Sequence, residues 1–176
     1  DKNRSFDKHY DVAIIGGGMS GALCAYSLTE AGLNVAIIEK RTMASGSSAA
    51  NTGLLQFSND IMLHDLIDQI GEEKAVRFYK LCFEAIDNLE RVAMNLPLSP
   101  EFIRRKSIYY ASSTRHVSKL KKEYKVLKEH GFPVEYWSKK EIKQRLPFSK
   151  PGALITNGDA EVNPYRFVNG IIDYLK

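Results

Sequence analysis

The stretch from Asp11 to Glu39, DVAIIGGGMSGALCAYSLTEAGLNVAIIE, restricts this 176-residue chain more than any other part of it. Val12 to Ile15 form a short apolar run, the pattern of a strand buried on both faces. Three glycines follow at the spacing Gly16-x-Gly18-x-x-Gly21. The next residues place Ala22, Ala25, Leu28 and Ala31 at helical intervals, and Gly32 suits the helix C-terminus. A second apolar run, Val35 to Ile38, leads into the carboxylate of Glu39. Strand, glycine turn, helix, strand and acid in this order predict a βαβ unit that binds a dinucleotide. Gly16 permits the tight turn out of the strand, Gly18 lets a pyrophosphate approach the backbone, and Gly21 lets the helix pack on the sheet. Backbone groups from Gly16 to Gly21, Met19 and Ser20 included, face the pyrophosphate together with the positive end of the helix dipole. Glu39 is placed to accept hydrogen bonds from ribose hydroxyls. Its charge disfavours a 2′-phosphate, and so NADP; NAD and FAD both remain.

Composition narrows the class. Hydrophobic residues make up 44% of the chain and charged residues 26%, ordinary for a globular protein with one domain or one and a half. No apolar run approaches the ~20 residues of a transmembrane helix. The opening DKNRSFDKHY is polar, carries no signal-peptide apolar region, and reads as a short mobile lead-in. Cys24 and Cys82 have no metal or redox spacing and read as small, buried, reduced residues, which points to a cytoplasmic protein. The net charge of +4 is concentrated: between Glu101 and Lys150 there are fourteen Lys or Arg against five Asp or Glu. Lys119, Lys121, Lys122, Lys125 and Lys128 fall on the polar side of an amphipathic helix, a solvated face rather than a nucleic-acid surface. Attraction of an anionic substrate or partner is the other reading.

Lys40 to Phe57, KRTMASGSSAANTGLLQF, has no clear period and is rich in Ser, Gly, Ala and Asn, as a loop that approaches a ligand would be. Gly46-Ser47-Ser48 and then Asn51-Thr52-Gly53-Leu54-Leu55, placed after a βαβ unit ending in Glu, resemble the D-amino-acid oxidase superfamily. That group includes glycine oxidase, sarcosine oxidase and related FAD-dependent oxidoreductases. The resemblance favours FAD over NAD. It implies that the Lys40 backbone lies beside the ribose, that Ser47 and Ser48 reach phosphate or ribityl oxygens, and that Thr52, Gly53 and Leu54 lie against the flavin ring, with Asn51 in the same segment. The Gly46–Gly53 segment has neither His nor Cys, so FAD is expected to be non-covalent.

Further along, Ser58 to Ile70 has a helical pattern interrupted at Gly71, with His64 expected as a surface or capping residue. Glu72 to Leu96 has the period of a long amphipathic helix. Pro97 and Pro100 mark a boundary. A strand at Ile108–Ala111, a helix from Ser113 or Thr114 to about His130, a strand at Val134–Trp137, a capping box at Ser138-x-x-Glu141 and a strand at Gly152–Thr156 follow. Asn157-Gly158 is a turn signal leading to a further short strand. Asn163 and Pro164 suit the N-cap and first turn of a closing helix with apolar Tyr165, Val168, Ile171 and Ile172.

The same order is seen in the resembled family, apart from Ser107, where many members have glycine. The resemblance therefore implies an α/β fold: an FAD/NAD(P)-binding, Rossmann-like, doubly wound three-layer domain over residues 1–96 and 159–176, with part of an inserted α+β substrate domain over 97–158. Members of that family are much longer, so the chain reads as an N-terminal fragment, expected to bind FAD weakly or not at all and to turn over no substrate alone. The implied activity is hydride transfer from the C–N carbon of an amino acid or secondary amine to flavin N5. A 2-hydroxy-acid or glycerol-phosphate dehydrogenase, an NAD-binding dehydrogenase and a non-catalytic dinucleotide-binding module are the alternatives. The expected partner is a small molecule (amine, amino acid or hydroxy acid). No catalytic residue and no metal ligand is nominated.

Overall fold

The computed structural model describes residues 9–176. The expected lead-in therefore lies, apart from His9 and Tyr10, outside the described residues. In chain order the elements are β1 (Val12–Ile15), α1 (Met19–Glu30), β2 (Val35–Ile38), β3 (Leu54–Leu55), α2 (Leu63–Ile70), α3 (Glu72–Asn95), β4 (Ile103–Tyr110), α4 (Val117–Glu129), β5 (Val134–Ser138), α5 (Lys139–Arg145), β6 (Gly152–Glu161) and α6 (Pro164–Tyr174). Short 3₁₀ turns occupy Ser47–Ala50 and Thr114–His116. Among the described residues no helix is long and apolar enough to cross a membrane.

Contacts divide the chain into two compact units. The first comprises residues up to 53, 91–102 and 162–176; the second comprises 54–90 and 103–161. The division differs from the expected domain limits chiefly at residues 54–90. These group with the second unit because β3 pairs with β6 (Leu54 with Glu161, Leu55 with Ala160), and Asp159 Oδ1 accepts the Phe57 N–H.

In the first unit β1 and β2 run parallel in the register Val12–Val35 to Ile15–Ile38. α1 packs on this pair through a face that buries Ala22, Ala25 and Tyr26. The expectation that β1 is buried on both faces is not met. Ala13 and Ile15 are exposed, Ile15 to 89%, because β2 is its one sheet neighbour among the described residues. Gly32 follows the helix with φ +86°. α6 starts as its sequence suggests: Asn163 accepts the Arg166 N–H and Pro164 fills the first turn. It buries Phe167, Val168 and Ile171, and Gly170 leaves room for Leu96.

In the second unit β6 is the central strand of an antiparallel sheet. β4 pairs along one side of it, and β3 and β5 pair with its two ends. The Asn157-Gly158 turn does not form. β6 runs through it with a bulge: Lys106 pairs with Asn157 and Arg105 with Asp159, leaving Gly158 unpaired at φ +99°. A Cβ there would come within 2.7 Å of the Phe83 ring, and the Gly158 carbonyl accepts from Arg104. β4 begins five residues before the expected Ile108. Its charged start finds partners: Arg104 pairs with Asp87 and Glu90, Arg105 with Glu161, and Lys106 with Glu135. Helix α2 is shorter than expected, starting at Leu63, where the Glu123 carboxylate of α4 accepts the Leu63 and His64 N–H groups. His64 is buried rather than on the surface, with Nδ1 2.6 Å from Glu123 Oε2. Neither thiol is buried as expected: Cys24 is exposed and Cys82 half-buried. Of the α4 lysines, Lys119 and Lys122 pair with Asp65 and Asp68 on α2.

Candidate dinucleotide site

The turn after β1 opens a cleft of about 490 Å3 lined by Ile15, Gly16, Gly18, Met19, Ser20, Gly21, Ser47, Ser48 and Asn51. Eight of these nine residues are expected site residues, brought together from two segments 25 residues apart in sequence. Gly16 turns at φ +108°. A Cβ on Gly21 would sit 2.0 Å from the Gly16 carbonyl oxygen, so only glycine closes the turn between strand and helix. A Cβ on Gly18 would meet Ser48 Oγ at 3.1 Å, narrowing the cleft where the two segments face each other.

Helix α1 makes its first internal bond from the Ala22 N–H to the Gly18 carbonyl. The N–H groups from Gly18 to Gly21 thus precede the helical ladder and have no acceptor within it. One of them, on Met19, donates to Ser48 Oγ at 2.9 Å. Ser48 is buried, so its hydroxyl fixes the Ser47–Ala50 turn to the helix start. Asn51 Oδ1 accepts the Gly53 N–H, which shapes the exit from that turn.

At the end of β2, Glu39 is held by the backbone. Oε2 accepts from Gly17 N–H at 2.8 Å and Oε1 from Arg41 N–H at 2.9 Å. These bonds, that from Gly17 first, hold its carboxyl below the usual carboxylate range. It is therefore ionised at neutral pH and offers only lone pairs, which suit ribose hydroxyls and oppose a 2′-phosphate. Lys40 beside it is exposed. Thr52 is exposed and Gly53 buried; neither lines the cleft, and Leu54 belongs to the second unit. Gly53 has φ +73°, and a Cβ there would lie 2.0 Å from the Val162 carbonyl oxygen.

Two residues escaped sequence reasoning. Gly17 carries the N–H that orients Glu39, and a Cβ on it would strike Met43 Sδ at 2.1 Å. The signal was present in the middle glycine of the GGG run. Ala44 is buried at φ +61° and donates its N–H to the Gly17 carbonyl, locking the loop after β2 against the glycine turn. No sequence rule marks an alanine for that conformation. Free first-turn N–H groups, a backbone with no side chain in the way and an acceptor-only carboxylate make the site fit the pyrophosphate and ribose of a dinucleotide such as FAD.

The profile of the family described as "DAO: FAD dependent oxidoreductase" matches residues 11–176. The glycine oxidase of Geobacillus kaustophilus is 28% identical over 158 residues, 88% of this chain and 40% of that protein. Its crystal structure superposes with a TM-score of 0.73 at 26% identity, covering 94% of this chain and 44% of the glycine oxidase chain. A protein described as a Rieske 2Fe-2S iron-sulfur protein, YhfW of Bacillus subtilis (strain 168), is 25% identical over 169 residues, 96% of this chain and 32% of its own length. This chain thus spans less than half the length of these relatives.

Proposed function

The chain belongs to the DAO family of FAD-dependent oxidoreductases, and from that premise we propose that the protein oxidises the C–N bond of an amino acid or secondary amine. The fold is Rossmann-like α/β and the cofactor is FAD. The observation that carries the site is the cleft in which the helix start from Gly18 to Gly21 faces Ser47, Ser48 and Asn51. In this reading Gly18, Ser20 and Gly21 N–H groups bind the pyrophosphate. Ser47 contacts it from the opposite wall, and Ser48 positions the Met19 peptide. Glu39 holds the adenosine ribose, with the Lys40 backbone beside it. Thr52 and Gly53 contact the flavin ring. Bound FAD supplies a two-electron acceptor for hydride from the substrate carbon. The first unit is then part of the FAD domain and the second part of the substrate domain. A cytoplasmic location completes the proposal, in keeping with two free thiols.

A second reading has its own support. An aerobic glycerol-3-phosphate dehydrogenase of Staphylococcus saprophyticus is 34% identical over 74 residues, 40% of this chain. The deciding experiment is anaerobic reduction of the FAD-loaded whole protein, at the length of its relatives, by a panel of amines, amino acids, 2-hydroxy acids and glycerol phosphate, followed by flavin absorbance. Bleaching by an amine or amino acid is the expected result. Bleaching by hydroxy compounds alone transfers the assignment to the second reading, and no bleaching by any member overturns both.

A further inference from the structure

The second unit contains a half-enclosed cavity of about 250 Å3 that the dinucleotide site does not use. Its floor is formed by Tyr79, Glu123, Leu127, Leu154 and Thr156, all buried. Its rim carries exposed residues, among them Asp60 and Tyr109. Among the described residues no Lys, Arg or His lines it.

The hydrogen-bonding state of the floor selects what the cavity takes. Tyr79 donates its phenolic proton to the Ile61 carbonyl at 2.7 Å, and Thr156 donates its hydroxyl proton to Asp159 Oδ2. Burial pushes the Tyr79 phenol above its ordinary range, so that proton stays in place. Glu123 accepts from Leu63 N–H, from His64 N–H and from the His64 ring. The floor's hydroxyl protons are thus committed to the protein. What remains is acceptor capacity: lone pairs of Tyr79 Oη and Thr156 Oγ1, and of Glu123 Oε1, which takes a single donor whereas Oε2 takes both His64 bonds. Leu127 and Leu154 supply apolar wall beside these atoms.

We propose that this cavity binds a primary ammonium group carried on a short aliphatic chain. Three N–H donors match three acceptors, Glu123 supplies a counter-charge, and the alkyl part lies along Leu127 and Leu154. The lining itself presents two carboxylates, Asp60 and Glu123 (the latter paired behind the wall with His64 Nδ1 at 2.6 Å), and no cation, which disfavours an anion in a desolvated setting. The volume lies below the ~300–1,000 Å3 of drug-sized ligand pockets, so the ligand is small. The inference does not depend on FAD or on the proposed oxidation.

The test is a methyl and aromatic NMR titration of the chain, without FAD, against propylammonium, 1-propanol and propionate. Propylammonium should give saturating shifts at Thr156, Leu127, Leu154 and Tyr109. Propanol should bind at least roughly tenfold more weakly, the scale of a lost charge-assisted hydrogen bond, and propionate should give no saturating shift. Tyr79→Phe keeps the ring and removes one acceptor, and should weaken propylammonium binding by roughly three- to tenfold. Should circular dichroism show that variant unfolded, Asp60→Asn on the exposed rim takes its place, and should weaken propylammonium severalfold while leaving propanol unchanged. Absence of saturating shifts with propylammonium, equal affinity for propionate, or indifference to the folded variant used would overturn the proposal. None of these outcomes bears on whether the protein oxidises amines.

Discussion

A methyl group added at Gly21 would lie 2.0 Å from the Gly16 carbonyl oxygen and 3.3 Å from Ile14 Cγ2. Backbone cannot yield there as a flexible side chain would, so Gly21→Ala forces α1 away from β1. The expected cost is about 1–3 kcal/mol, the range for overpacking, measured as a lower denaturant midpoint. Gly32 gives the control: it has φ +86° and nothing within 4 Å of an added Cβ. Gly32→Asn should therefore cost less than Gly21→Ala, because asparagine tolerates the left-handed region. An equal loss at both positions would contradict the account of Gly21 by close approach. The turn at Gly16 and the close packing at Gly21 were legible in the sequence because each follows from the absence of a side chain. The conformation of Ala44 was not, because its φ of +61° is imposed by the bond from its N–H to Gly17 rather than by its own preference.

Elements followed the sequence where a local signal and a tertiary partner agreed. Ser138 and Glu141 form the capping box that opens α5: Ser138 Oγ accepts the Glu141 N–H and Glu141 Oε2 accepts the Ser138 N–H. Ser138→Ala should destabilise the protein by about 1 kcal/mol. The Ser138 hydroxyl, then its N–H, lower the Glu141 carboxyl from its ordinary value of 4.5. A depressed acid contributes stability that is fully present above its unfolded pKa and lost as pH falls through its folded one. The difference between wild type and Ser138→Ala, read from denaturant melts, should hold steady above pH 4.5 and shrink on further acidification. A difference that grows in acid would contradict the reciprocal bond. Signals failed where long-range partners decided. Asn157-Gly158 reads as a turn, yet pairing with β4 carries the chain through as a bulge, with Gly158 against Phe83. The charged run Arg104-Arg105-Lys106 hides the start of β4 because its partners, Asp87, Glu90, Glu161 and Glu135, lie 14 to 56 residues away in sequence. His64 looked like a surface residue because its partner Glu123 is 59 residues on.

For the molecule as a whole, the chain covers 40% of the glycine oxidase relative and 32% of YhfW. Ile15 and Ile38 stand 89% and 56% exposed at the ends of the two parallel strands. The parallel pair was legible from two apolar runs around a glycine turn, but its solvent exposure was not, since an apolar run carries no information about which neighbours cover it. The dinucleotide cleft is walled mainly by the α1 start and the Ser47–Asn51 turn, with Ile15 alone of the two isoleucines at its edge. Weak FAD binding should therefore be detectable in the chain itself. The most direct measurement is an amide NMR titration of the 176-residue chain with FAD, run in parallel on Gly18→Val. Saturating shifts at Gly18, Ser20, Gly21 and Ser47 in the wild type, abolished in a folded Gly18→Val, are the predicted result. Shifts confined to other residues, or equal FAD affinity in the two proteins, would contradict the assignment of this cleft to the cofactor.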